Sequence, residues 1–209
     1  MRRVLHMRRV LPLLPFTVVF ALVISSGSAA AQSVPPEREQ IAAAVRAAPP
    51  ALRNEATVLG YPADTDGTLR TLREGAGRLI CLADQPGEDR FHVSCYHRAL
   101  EPFMKRGREL RAQDLSRSAV DSVRRAEIEA GQWSMPQRPT ALYTLSGPAG
   151  SYDAAADTAR GASPLKVIYV PYATAESTGL PTSAGPGEPW IMEGGTPWAH
   201  VMIVGPKQP

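Results

Sequence analysis

Cys81 and Cys95 are the only cysteines in this chain of 209 residues, and each sits inside a strand-like run. Arg78-Leu-Ile-Cys-Leu-Ala83 and Arg90-Phe-His-Val-Ser-Cys-Tyr96 are separated by the turn-rich Asp84-Gln-Pro-Gly-Glu-Asp89, which predicts a β-hairpin. Side chains alternate along strands, so pairing Cys81 with Cys95 sets Ala83 opposite Val93 and Leu79 opposite His97, all on one face. A disulfide closing so short a loop stabilises by roughly 3 kcal/mol in the chain-entropy model. A redox-active pair is the alternative, but redox dithiols use a short Cys-x-x-Cys spacing that this chain lacks.

A disulfide requires an oxidising compartment, and the N-terminus reads as the address for one. Arg2, Arg3, Arg8 and Arg9 precede an apolar run from Leu11 to Ile24, and small residues ending in Ala29-Ala30-Ala31 follow. That order is a secretory signal peptide, with cleavage expected after Ala31. The apolar run is shorter than the ~20 residues that span a bilayer. No membrane span is therefore expected after cleavage. Met7 is an alternative start, and Arg8-Arg9 could be half of a twin-arginine signal. The mature domain, 32–209, is expected periplasmic or extracellular. It keeps 19 of the 23 Lys+Arg residues against all 20 Asp+Glu. A near-neutral domain carries no basic surface for nucleic acid. The densest basic stretch, from Arg98 to Arg125, is interleaved with Glu101, Glu109, Asp114 and Asp121, the pattern of a solvated helical face.

The mature chain is long enough for a single domain. Ser33-Val-Pro-Pro-Glu37 opens a helix with Ile41, Val45 and Ala48 on one face, and Pro49-Pro50 stops it. Runs at 56–60, 68–74, 78–83 and 90–96 predict an antiparallel meander of four strands. Leu100, Phe103, Met104, Gly107 and Leu110 mark one helix after this. Ala119, Val120, Val123, Ala126 and Ala130 mark a second, capped by Asp114 or Ser116 and ended by Gly131. Strand-like runs return at 140–145, 166–170 and 199–204, with long turn-rich loops at 146–164 and 171–197 between them. The expected class is α+β, an antiparallel β-sheet packed by two or three helices with one disulfide.

Several segments carry a resemblance: Ala47-Ala-Pro-Pro50 before Ala56-Thr-Val58, Leu72-Arg-Glu-Gly75, Cys81, Pro189-Trp190 and Gly195-Thr-Pro-Trp-Ala-His-Val-Met-Ile203. Together they make the chain similar to a group of uncharacterised exported bacterial proteins. That group has no established activity, so the resemblance implies export and no catalytic residue.

The chemistry-bearing candidates are few. His92, His97 and His200, with Glu101, are the types that ligate zinc-like ions. His92 and His97 are an odd number apart, so a regular strand sends them to opposite faces. Pro102 disfavours α conformation at Glu101, which argues against a helical His97–Glu101 pair. Hydrogen-bonded structural histidines are the plainer reading. No Gly-x-Ser-x-Gly elbow occurs, since Ala175-Glu-Ser-Thr-Gly179 lacks the first glycine. There is no Walker loop and no Gly-x-Gly-x-x-Gly, so no cofactor is implied. The loop 171–197 and its flank hold Tyr172, Trp190 and Trp198, aromatic residues of the kind that anchor contacts. Their plainer role is to close the core beneath the loop. The leading expectation is a non-enzymatic binding domain for a small ligand or an envelope protein through those three aromatics. The alternative is a hydrolase or metal-dependent enzyme using His92, His97 and His200.

Overall fold

A computed structural model describes residues 34–63 and 67–209. The expected signal at 1–31 and the cap at Ser33 lie outside the described residues. Among those described, no helix is long and apolar enough to cross a membrane.

The central hairpin forms as the alternation predicts. Strands β3 (Leu79–Leu82) and β4 (Arg90–His97) pair antiparallel, with Leu79 opposite His97 and Cys81 opposite Cys95. The two cysteines are fully buried and bonded to each other. Strand β5 (Thr140–Pro148) adds to the far side of β4, followed by β8 (Ser163–Tyr169), β10 (His200–Val204) and β9 (Trp190–Met192). On the near side lie β1 (Thr57–Gly60) and then β2 (Arg70–Arg73), which completes eight strands.

The near side departs from a meander. β1 pairs parallel with β3, while β2 pairs antiparallel on the outer flank of β1. The chain leaving β2 must therefore pass the start of β1 to reach β3, and it passes at backbone contact distance. A Cβ on Gly75 would lie 2.2 Å from the Glu55 carbonyl oxygen, and one on Gly77 would lie 2.7 Å from it. The Gly77 amide donates to that same oxygen at 2.7 Å. Two guanidinium groups saturate the carbonyls bared by the crossing. Arg73 donates to Arg53 O and Ala56 O, and Arg98 donates to Gly75 O and Gly77 O. Alternation along single strands holds no information about this crossing, which is why a simple meander is the natural sequence-level expectation.

Helices cover both sheet faces. α1 (Glu37–Ala44) and the 3₁₀ turn after it pack Ala44, Val45 and Ala48 on Val58, Leu79, Cys81 and Cys95. Buried Gln40 locks this layer, donating to Tyr61 O and accepting from Tyr61 N, both at 2.8 Å. On the opposite face, α2 (Glu101–Arg111) and α3 (Arg117–Glu129) sit over Ile80, Tyr96, Val167 and Tyr169. Ser116 caps α3, its side chain accepting from Ala119 N.

Neither long loop is structureless. The segment 146–164 is divided among the end of β5, the start of β8 and a two-stranded ribbon, β6 (Tyr152–Asp153) with β7 (Thr158–Ala159). Tyr152 stacks on Phe91 to seat the ribbon. The segment 171–197 contains the single turn α4 (Ala175–Thr178), closed by a Thr174–Ser177 capping box, and the edge strand β9. Pieces of two to four residues are too short for a periodic signal, and tertiary pairing alone defines them.

Gly75→Ala should destabilise the fold by more than about 2 kcal/mol, since backbone and not a mobile side chain occupies the Cβ position. Urea unfolding measures this, and a loss under about 0.5 kcal/mol would show that the crossing can relax.

Candidate functional site

The end of the sheet where β8 and β10 run out carries the most distinctive surface. Beyond Tyr169 the two chains stay zipped: Val170 N donates to Ala199 O, Tyr172 N to Thr196 O and Gly195 N to Ala173 O, each at 2.8 Å. Pro171 has no amide to add. Within this zipper Tyr172 is held at φ +64°, in the left-handed region. Bulky residues with a Cβ pay about 1–2 kcal/mol to stand there. Tyr172 is also 59 % exposed, so its ring gains little from burial.

Tyr172 and Pro171 form one wall of a cleft of about 110 Å³ whose other wall is Ile128, Met135 and Pro136. The far wall forms because the segment after α3 returns to the sheet and anchors buried Met135 in the cluster of Phe103, Tyr169 and Trp198. Ser134-Met135-Pro136 has no periodicity, so the far wall leaves no mark in the sequence. The expected contact aromatics do not form one surface. Trp190 is half-buried on β9, paired opposite Met202. Trp198 is buried, with its ring 5.9 Å from Phe103. Only Tyr172 reaches the cleft.

Beneath the cleft lies an unusual core. Phe103 meets Trp133, Tyr169 and Trp198, with centroids about 6 Å apart. The Arg124 guanidinium lies 3.8 Å above the Phe103 centroid. The expected apolar face of α3 therefore needs correction. Ala126 and Ala130 are exposed, while Val120 and Arg124 are buried. An arginine can take this position because its flat, weakly hydrated cation stacks on aromatic faces. Arg124 donates to Asp121 Oδ1 at 2.5 Å and to Phe103 O at 3.4 Å. Gly107 makes the room, since a Cβ there would come within 3.0 Å of Arg124 Nη1.

The three histidines stand apart. His92 Nδ1 is 2.7 Å from Ser146 Oγ across the β4–β5 ladder, and its backbone amide donates to Asp84 Oδ1. His97 lies five residues along β4, about 17 Å away at ordinary strand rise, and faces the α1 layer opposite Leu79. Its Nδ1 accepts from Ala99 N and caps a 3₁₀ turn. His200 pairs with Tyr169 and donates Nδ1–H to Trp198 O at 2.8 Å. Glu101 is helical despite preceding Pro102, because the 3₁₀ turn at 98–100 runs straight into α2. Its carboxylate is held by Tyr96 Oη and Arg108. Among the described residues no group of three His, Cys, Asp or Glu side chains is placed to share an ion.

A second recess, about 300 Å³, opens between the turns 84–90 and 149–150, lined by Asp84, Glu88 and Arg90. Burial holds the Asp84 carboxyl above its ordinary value. Burial, aided by Arg90, holds the His92 imidazole below its own.

No known family, curated protein or solved structure matches this chain.

His92 supplies a test of the electrostatics. Its folded-state affinity for a proton is reduced, so as pH falls the unfolded chain takes up that proton first. Stability from this residue is therefore full above the imidazole range and declines as pH drops through it. Asp84 acts with the opposite sign at lower pH, regaining stability as its raised carboxyl protonates. Urea unfolding of His92→Gln should show a flatter slope between about pH 7 and about pH 5 than the parent. Equal slopes would mean that the ring titrates freely.

Proposed function

We propose that the protein is an exported, non-enzymatic binding domain that takes an apolar or aromatic side chain of a partner protein into the cleft beside Tyr172. One observation carries this reading: a large aromatic is kept both exposed and in strained backbone, a combination that stability alone would remove. Strain of this kind concentrates at sites of function. The cleft volume favours a partner over a free small molecule. Ligand pockets commonly enclose about 300–1,000 Å³, whereas about 110 Å³ accommodates a single side chain. The wall chemistry fits the same occupant, since Ile128, Met135, Pro136 and Pro171 offer apolar surface and Met adapts to varied shapes. Export is supported by the N-terminal pattern of residues 1–31 together with the buried Cys81–Cys95 disulfide. An envelope or extracellular protein is the partner class that follows.

Stability and binding should separate at position 172. Tyr172→Gly should raise the unfolding free energy by about 1 kcal/mol, because glycine takes positive φ without a Cβ clash. The same variant should lose the partner. A photo-crosslinking phenylalanine analogue at 172, in intact producing cells, is expected to give a discrete adduct. The same analogue at exposed Val204 should give none, and Ser134→Arg, which crowds the cleft mouth, should abolish the adduct at 172. No adduct at 172, or a destabilised glycine variant, rejects the reading.

A further inference from the structure

We propose that the groove between α2 and α3, over Gly107, is a phosphate-binding site built by Arg111 and Arg124. It is separate from the Tyr172 cleft and does not rest on the function proposed for it.

The groove begins with a glycine inside a helix, which costs about 1 kcal/mol relative to alanine. The Arg124 guanidinium takes the room that its missing Cβ leaves, and the tip of Arg111 reaches the same place from α2. A Cβ there would lie 3.0 Å from Arg124 Nη1 and 3.3 Å from Arg111 Nη1. The ends of two guanidinium groups, one from each helix, therefore meet over one bare Cα. Arg108 stands next along α2, bonded to Tyr96 Oη and Glu101. Beside the Arg106–Glu127 and Arg106–Glu109 bridges further round the same helices, two acids pair with these three cations. Glu101 is engaged by Arg108 at 2.8 Å, and Asp121 by Arg124 Nη2 at 2.5 Å. One positive charge is left over, and it is Arg111, which has no hydrogen-bond or ion-pair partner among the described residues. Its guanidinium is held below its ordinary basicity by burial and by the nearby Arg124 and Arg108, which outweigh the opposing pull of Asp121, an acid already bonded to Arg124.

Arg124 also has donors to spare. It has five N–H groups, and its contacts are Asp121 Oδ1 and Phe103 O. Its Nε is buried and unpartnered. The cation is fixed by its stack on Phe103 and by the long 3.4 Å bond from Nη1 to Phe103 O, so a second acceptor at the Nη1 edge nearest Gly107 costs little ordering. Asp121 is the one carboxylate that acts on both Arg111 and Arg124, so like-charge repulsion remains for a further anion to relieve. Paired guanidinium forks from two elements suit an oxyanion with several acceptor oxygens. A phosphate group meets that need, whether as free orthophosphate or as a lipid headgroup.

The test uses the intact, disulfide-bonded protein. Orthophosphate is titrated at constant ionic strength, to about 10 mM, and binding is read from the ³¹P line width. The native protein should broaden the signal saturably. Arg111→Gln should weaken binding by about tenfold or more, the cost of losing one charged donor set. Arg138→Gln, an exposed arginine elsewhere, should change nothing. Since Arg111 sits at the exposed end of α2, the glutamine variant keeps the core, which its unfolding midpoint verifies. Flotation with phosphatidylglycerol vesicles separates the sources. Vesicle binding that free phosphate competes away assigns a lipid headgroup, and phosphate binding without flotation assigns a soluble phosphate. No saturable broadening, equal broadening by the native protein and Arg111→Gln, or vesicle binding indifferent to both phosphate and Arg111→Gln overturns the site.

Discussion

Cys81 and Cys95 face each other across the two central strands, and the bond between them pins the register on which every other layer is placed. A slip of one residue in that hairpin would turn each strand over. With the register held, Cys81, Cys95 and Leu79 point to α1, while Ile80 and Tyr96 point to α2 and α3. The sheet then grows both ways from the hairpin. It grows by antiparallel addition through β5, β8 and β10, and by the parallel pairing of β1 on the other side. The bond itself restricts the unfolded chain, so its stabilising effect adds to the packing it organises.

Arginine recurs as the residue that resolves local conflicts. Where Gly75 and Gly77 cross the start of β1, Arg73 and Arg98 bridge carbonyls that the ladder leaves open. Where α2 and α3 close on an aromatic cluster, Arg124 fills space with its flat cation while answering a backbone carbonyl and Asp121. A lysine would serve neither place, because it lacks both the planar fork and the stacking face. In a chain with few aromatic residues, these guanidinium groups act as packing material as well as charges. Arg111 is the exception, a cation set beside Arg124 and Arg108 that shares only Asp121, an acid already bonded to Arg124.

The proposed partner cleft and the phosphate groove lie on the same helical layer yet differ in origin. The cleft depends on irregular backbone, a zipper of loop hydrogen bonds that forces Tyr172 outward. The groove depends on regular helix geometry, in which Gly107 and Arg111 fall one turn apart on α2 and Arg124 faces them from α3. Helix-borne residues are held more rigidly than loop-borne ones. The separated histidines contribute hydrogen bonds to the fold at three unrelated places.

How much of this was legible follows from the range of each signal. Period-two alternation in 78–83 and 90–96, with a turn between and one cysteine in each, determined the hairpin, its register and its disulfide. Helical spacing located α2 and α3, Gly131 marked the end of the second, and its start was narrowed to a cap at Asp114 or Ser116, which the structure resolves to Ser116. Parity along β4 was enough to send His92 and His97 to opposite faces. These are short-range properties, written in residues that touch or follow one another. Tertiary structure alone decided the rest. It placed β3 parallel to β1, because the choice depends on a backbone crossing between segments some twenty residues apart. It turned an α3 arginine into the core, because only the Phe103 ring and the gap at Gly107 make that burial favourable. It divided the supposed loops into a ribbon, a helical turn and an edge strand, each stable only against its neighbour. The cleft at Tyr172 belongs to the same class, since one wall comes from residues 171–172 and the other from residues 128–137, and no pattern within either segment records that they meet.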